Sequence, residues 1–169
     1  STYVIGKSRS KNEEVVSEDV NITVYSPIGG KNIALSETND PSFASEALGK
    51  GFAIIPNEEE VVSPIEGTIT VLFPTKHAIG ITDKNGLEIL IHIGIDTVQL
   101  VGEGFEAFVE VGQTVKKGEK LVKFDSKLIK SKGYDLTTFV VVTNTDHYKE
   151  INHIKNKEVK SKDAILSIA

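Results

Sequence analysis

The chain has 169 residues, 19 basic and 24 acidic side chains, a formal net charge of −5, 39% hydrophobic content and no cysteine. This composition suits one soluble globular domain with a real core. It excludes disulfides, thiolate zinc sites and a cysteine nucleophile, and argues against a nucleic-acid surface, which needs clustered Lys and Arg.

Residues 1–19, STYVIGKSRSKNEEVVSED, are polar and mixed in charge. They predict a flexible tail or linker, with no apolar core of a secretion signal and no amphipathic helix. Residues 20–169 are expected to form the globular domain. No apolar run approaches the ~18 residues of a membrane helix, and a reducing cytoplasm fits the lack of cysteine.

From residue 20 onward, short β-rich runs recur between turn residues. They are ITVY (22–25), FAII (52–55), GTITVLF (67–73), LEILIHIGI (87–95), KLVKF (120–124), TTFVVVT (137–143) and AILSIA (164–169). Their spacing predicts an all-β antiparallel sandwich or barrel. Helical turns are expected only near Pro41–Leu48, Ser126–Lys132 and Asp146–His153. The bend YSPIGG (25–30) reappears as VSPIEG (62–67), which suggests an internal duplication or two similar turns.

The segment HAIGITDKNGLEILIH, residues 77–92, reads as a hairpin around Asp83-Lys84-Asn85-Gly86. A four-residue loop would set His77 directly opposite His92, and a two-residue Asn85-Gly86 loop would set it one diagonal step away. Either register places the two rings on one face, ~5 or ~7 Å apart at Cβ. Alternation sends Leu87, Ile89, Ile91, Ile93 and Ile95 to the core. It turns Glu88, Leu90, His92, Gly94 and Asp96 the other way, where Phe73, Thr75, His77, Ile79 and Ile81 are expected to join them. Two histidines, a hydroxyl, a carboxylate and apolar residues on one face suggest a docking surface around polar chemistry.

The pair falls short of a zinc site, which needs three or four protein ligands, and no G-x-S-x-G turn supports a serine hydrolase. A neutral imidazole is itself a nucleophile near pH 7. One histidine would accept a phosphoryl group while the other hydrogen-bonds it, with Thr75 orienting the helper ring.

PTKHAIGI, LEILIHIGIDTVQLVGEGFEAFVEVGQTVKKGEKLVKFD and TTFVVVTNTD closely resemble the glucose-family enzyme IIA proteins of the bacterial sugar phosphotransferase system, over roughly residues 20–169. The resemblance implies a β-sandwich of the duplicated hybrid-motif type. It implies that His92 is the phosphoryl acceptor, His77 the helper that hydrogen-bonds the phosphate, and Thr75 the residue that orients His77. The Gly94 carbonyl would orient His92, and Asp96 would meet a basic partner. Phe73, Leu90, Val98, Phe43 and Leu48 would form the docking patch. The implied partners are HPr, the IIB domain of a glucose-type permease, and regulatory proteins not identified by the sequence. No cofactor is implied, although zinc could bridge His77 and His92 to a partner's carboxylate.

Two departures stand out. Leu90 occupies a position where an aromatic is common, and Lys50 replaces an acidic residue often found between the flanking glycines. His147 and His153 read as surface residues. A lipoyl- or biotin-carrier domain is the rival reading, on VEVGQTVKKGEKLVKFDSKLI with Lys127 near the modified position, but the expected context around that lysine is absent. A zinc peptidase of related architecture would need an H-x-H pair that the chain lacks.

Overall fold

The fold is given by a computed structural model that describes residues 21–169; the expected tail lies outside the described residues. In chain order the strands are β1 (Ile22–Tyr25), β2 (Gly30–Ile33), β3 (Lys50–Pro56), β4 (Glu60–Val62), β5 (Gly67–Leu72), β6 (Ala78–Thr82) and β7 (Glu88–Ile93). They continue as β8 (Phe105–Ala107), β9 (Thr114–Val115), β10 (Lys120–Phe124), β11 (Thr138–Val142), β12 (Ile151–His153), β13 (Glu158–Val159) and β14 (Ala164–Ile168). Two short α-helices, α1 (Pro41–Ala44) and α2 (Ser126–Ser131), and three 3-10 turns complete the described elements. No helix among the described residues is long and apolar enough to cross a membrane.

All strand pairings are antiparallel. Eight strands form one sheet in the order β9-β5-β6-β7-β11-β3-β2-β13, and two three-stranded sheets, β4-β10-β8 and β12-β14-β1, accompany it. The expected all-β class is correct. The main core takes Ile89, Ile91 and Ile93 of β7 with Val140 and Val142 of β11. Strand β11 is buried on both faces, so TFVVV reads as a continuous apolar run without alternation. Its other face, Phe139 and Val141, packs with Leu35, Phe43 and Ala53 in a second cluster. That cluster lies on the same face of the sheet as His92, because Ala78, His92, Phe139 and Ala53 pair in one row across four strands.

The repeated bends are structurally equivalent. Ser26 Oγ donates to the Ile28 carbonyl and Ser63 Oγ to the Ile65 carbonyl, both at 2.7 Å. The Tyr25 amide donates to the Pro64 carbonyl, and the Val62 amide returns a bond to Pro27. Each bend also exchanges backbone bonds with a distant turn: Ser26 with Lys162 and Asp163, Ser63 with Gly118 and Glu119. The matching is detailed. Glu119 and Asp163 carboxylates accept from the amides of Lys116 and Lys160, and Gly118 and Lys162 both take a left-handed φ, +87° and +76°.

Three expectations are corrected. Asp146–His153 is not helical: a 3-10 turn covers Thr145–His147 and strand β12 follows, where His153 pairs with Leu166. His153 is half-buried, with its Nε2 donating to Asn32 Oδ1 at 2.6 Å, so it is not a freely solvated side chain. The hairpin takes neither expected register. Thr82 pairs with Glu88 and Ala78 with His92, around a three-residue loop in which Gly86 has φ +93°. Asp83 Oδ1 accepts from the amides of Asn85 and Leu87, which fixes the loop as a turn followed by a left-handed residue. The one-residue shift sends Ile79 and Ile81 into the main core, not onto the His92 face.

Candidate functional site

With that register, simple alternation would put His77 on the face opposite His92. His77 escapes alternation because it precedes β6, after a turn in which Lys76 takes a left-handed φ of +65°. The His77 and His92 rings meet edge-on, with centroids 4.9 Å apart and planes at 88°.

Each ring is held at its Nδ1. The His92 Nδ1 lies 2.9 Å from the Gly94 carbonyl oxygen. A carbonyl only accepts, so Nδ1 carries the proton and the neutral ring keeps its lone pair on Nε2. Gly94 can turn its carbonyl back because its φ is +85°; a Cβ there would lie 2.4 Å from Thr97 Cγ2. Asp96 is also left-handed, and Thr97 Oγ1 donates to the Ile93 carbonyl, so β7 ends in a tightly fixed corner. The His77 Nδ1 lies 2.8 Å from Thr75 Oγ1. With the hydroxyl donating, His77 is left with a proton on Nε2.

The electrostatics favour neutral rings. His77 is 2% exposed, and burial, reinforced by the neighbouring His92, pushes its pKa down to about 4. Burial also lowers His92, while the Gly94 carbonyl, Asp40 and Asp96 oppose that shift. The two carboxylates thus favour positive charge on the His92 ring.

Phe73, Val98 and Leu48 are exposed, and Leu90 is half-buried against the second cluster. Phe43 departs from the expectation of a contact residue. It is 3% exposed, stacks on Phe139 with centroids 4.1 Å apart, and lies 5.2 Å from the His92 ring, so it supports that ring from behind. Phe73 meets His77 edge-on at 5.4 Å. Sequence reasoning missed Asp40 and Phe139. Asp40 caps α1, with its Oδ1 accepting from the Ser42 amide at 3.0 Å; Asp-Pro signals such a cap, but nothing in the spacing brings residue 40 to residue 92. Lys127 of the carrier reading lies within α2, and His147 is exposed. Among the described residues no group of three His, Asp or Glu could hold a metal ion.

Two imidazoles of lowered pKa that meet edge-on, each fixed at its Nδ1, on a β-sandwich define a site built on imidazole nitrogens. Residues 22–148 match the family model for the phosphoenolpyruvate-dependent sugar phosphotransferase system, EIIA 1. The chain belongs to this family, whose members are phosphoryl-carrying phosphotransferase components. It is 48% identical over 165 residues to the beta-glucoside-specific EIIBCA component of Bacillus subtilis, a match covering 92% of this chain and 27% of that protein. It is 43% identical over 152 residues to the glucose-specific EIIA component of Staphylococcus epidermidis, covering 89% and 91% respectively. The solved glucose permease IIA from Mycoplasma capricolum superposes with a TM-score of 0.83 at 41% identity, over 88% of this chain and 96% of that one.

Proposed function

We propose that His92 accepts a phosphoryl group from the phosphohistidine carrier HPr and passes it to a cysteine on the IIB domain of a sugar permease, in the cytoplasm. The observation that carries this reading is the Nδ1–Gly94 bond, which leaves the His92 Nε2 lone pair free beside His77. In the first step that lone pair forms the N–P bond as the donor's N–P bond breaks. In the second, the His92 N–P bond breaks as the cysteine sulfur takes the phosphorus.

Phosphorylation at Nε2 leaves the ring with its Nδ1 proton and a positive charge. The Gly94 carbonyl, Asp96 and Asp40 face that charge as it develops. His77 donates its Nε2–H to a phosphoryl oxygen, and Thr75 keeps that proton in place. Catalysis is then mostly positioning and charge stabilisation. Asp40 and Asp96 would repel an incoming phosphoryl group alone, so they suit a donor surface that brings Arg or Lys with it. Phe73, Val98, Leu48 and Leu90 give the apolar part of that docking surface. Residues 20–169 serve as the domain, with 1–19 as tail or linker. At a partner interface His77 and His92 would hold a zinc ion together with a carboxylate of the partner, the ion taking the place of the phosphoryl group. Proteins named for both beta-glucoside and glucose transport resemble the chain, and either sugar class fits the site, which touches phosphate and not sugar.

The test is incubation with phosphoenolpyruvate, enzyme I and HPr, followed by mapping of the acid-labile phosphate. The label is expected on His92 and lost in His92→Gln with the fold unchanged. A labelled His92→Gln protein would falsify the assignment.

A further inference from the structure

Residues 34–49 cross one face of the large sheet as a strap. Among the described residues, residues 35–48 hydrogen-bond only to one another and to residues 34 and 49. The strap's buried apolar side chains are Leu35 and Phe43, both in the second cluster on Phe139. It carries Asp40 and Phe43 to His92.

Beside the strap lies a cavity of about 560 Å3, within the size range of small-ligand sites. Its walls are Ala34–Ser36 and Ala44–Glu46 of the strap on one side, and Lys50, His153 and Lys155 of the body on the other. A second space of about 280 Å3 shares Ser36, His153 and Lys155 and adds Glu37 and Lys157. Lys155 and Lys157 make no ion pair among the described residues, and Lys50 makes only a long, exposed one with Glu46. Asn32 Nδ2 donates to the carbonyls of Ile154 and Asn156, so its Oδ1 is the acceptor and His153 Nε2 the donor. This leaves His153 Nδ1 as an acceptor on a ring that lines both spaces. Glu37 is held by the Ala34 amide and Glu46 faces Lys50, so Lys155 and Lys157 leave a net positive charge that, with two serine hydroxyls and an imidazole acceptor, matches a small anion that also carries hydroxyl groups.

We propose that this cavity binds a small phosphorylated polyol, and that its occupant ties the strap to β3 and β12 and so fixes Asp40 and Phe43 against His92. Lys155 and Lys157 would hold the anionic end, and Ser36, Ser45 and His153 Nδ1 the hydroxyls. Any effect on phosphoryl transfer rests on the reading of His92 given above, but binding does not, so the two fail separately.

The experiment titrates the 169-residue chain with glycerol 3-phosphate, inorganic phosphate and glycerol, by calorimetry and by amide and imidazole NMR. Saturable one-to-one binding of glycerol 3-phosphate is expected. Inorganic phosphate should bind at least fivefold more weakly, and glycerol not measurably. Shifts should appear at residues 34–36, 44–50 and 152–155 and at the His92 ring. Lys155→Gln should weaken binding at least fivefold, and Ser45→Trp, which fills the cavity from an exposed position, should abolish it with the fold retained. Non-saturable shifts, equal affinity for all three probes, or undiminished binding by both variants would overturn the site. Binding with an unmoved His92 ring would overturn the link to the strap.

Discussion

One carbonyl oxygen decides which nitrogen of His92 keeps its lone pair. Gly94 is the residue that makes this affordable, since its left-handed φ turns the carbonyl toward Nδ1 and no side chain meets Thr97. Gly94→Ala is expected to cost about 1–3 kcal/mol of stability, seen as a lower melting temperature. Phosphoryl acceptance should fall further than the folded fraction does; parallel losses would leave Gly94 a purely structural residue. Thr75 acts on the other ring. Thr75→Val should slow onward transfer roughly tenfold, the size of one lost hydrogen bond of about 1.4 kcal/mol. Thr75→Ser should restore it, and the His77 nitrogen shifts should report mixed protonation only in the valine variant. Unchanged shifts in Thr75→Val would remove its positioning role.

The hairpin and the strap are the elements that bring these residues together. The sequence announced the hairpin and the two histidines, but not the loop length that sets the register. Asp83 as a local acceptor and Gly86 as a left-handed residue select a three-residue loop, and DKNG is compatible with two, three or four. The histidines still meet because Lys76 breaks the strand ahead of His77, a turn that period-two reasoning does not register. Elements with strong alternation or continuous apolar runs, such as β7, β10 and β11, were legible. The two- and three-residue strands β4, β8, β9, β12 and β13, and the four-residue β2, were not, since too few residues carry a pattern. Asp40 was illegible for a different reason: it reaches His92 only through the packing of Phe43 on Phe139. Phe43→Ala should cost about 3–5 kcal/mol locally. Amide exchange should accelerate across residues 35–48 while β7 and β11 stay protected. Uniform loss of protection would show that the strap is not a separate unit.

At the scale of the molecule, His77 and His153 are both neutral bases, each lowered to about 4 chiefly by burial. The unfolded chain, with ordinary histidines near 6.5, binds more protons than the folded one between these values. Stability is therefore full above about pH 6.5 and falls as pH drops toward 4. For the buried His77 the loss is on the order of 3 kcal/mol. Denaturant titrations at pH 7 and pH 4.5 should show the drop, and His77→Gln should flatten part of it. A wild-type profile flat across that range would contradict the neutral assignment. The two interlocked bends add a second global property. Because Tyr25 bonds Pro64 and Val62 bonds Pro27, each half of the duplicated motif completes the other, and unfolding should be a single transition.

Strand β1 lies beside β14, with Ile22 directly across from Ile168. The two ends of the described chain therefore leave from one place, in a sheet other than the one that carries His92. A neighbour fused before residue 22 or after residue 168 would emerge at the same point and meet the same surroundings. Such a module can be tethered at either end without rebuilding. A circular permutant that joins residue 168 to residue 22 through a short Gly-Ser linker, and opens at the exposed Lys84–Asn85 hairpin tip, should fold and still take phosphate on His92.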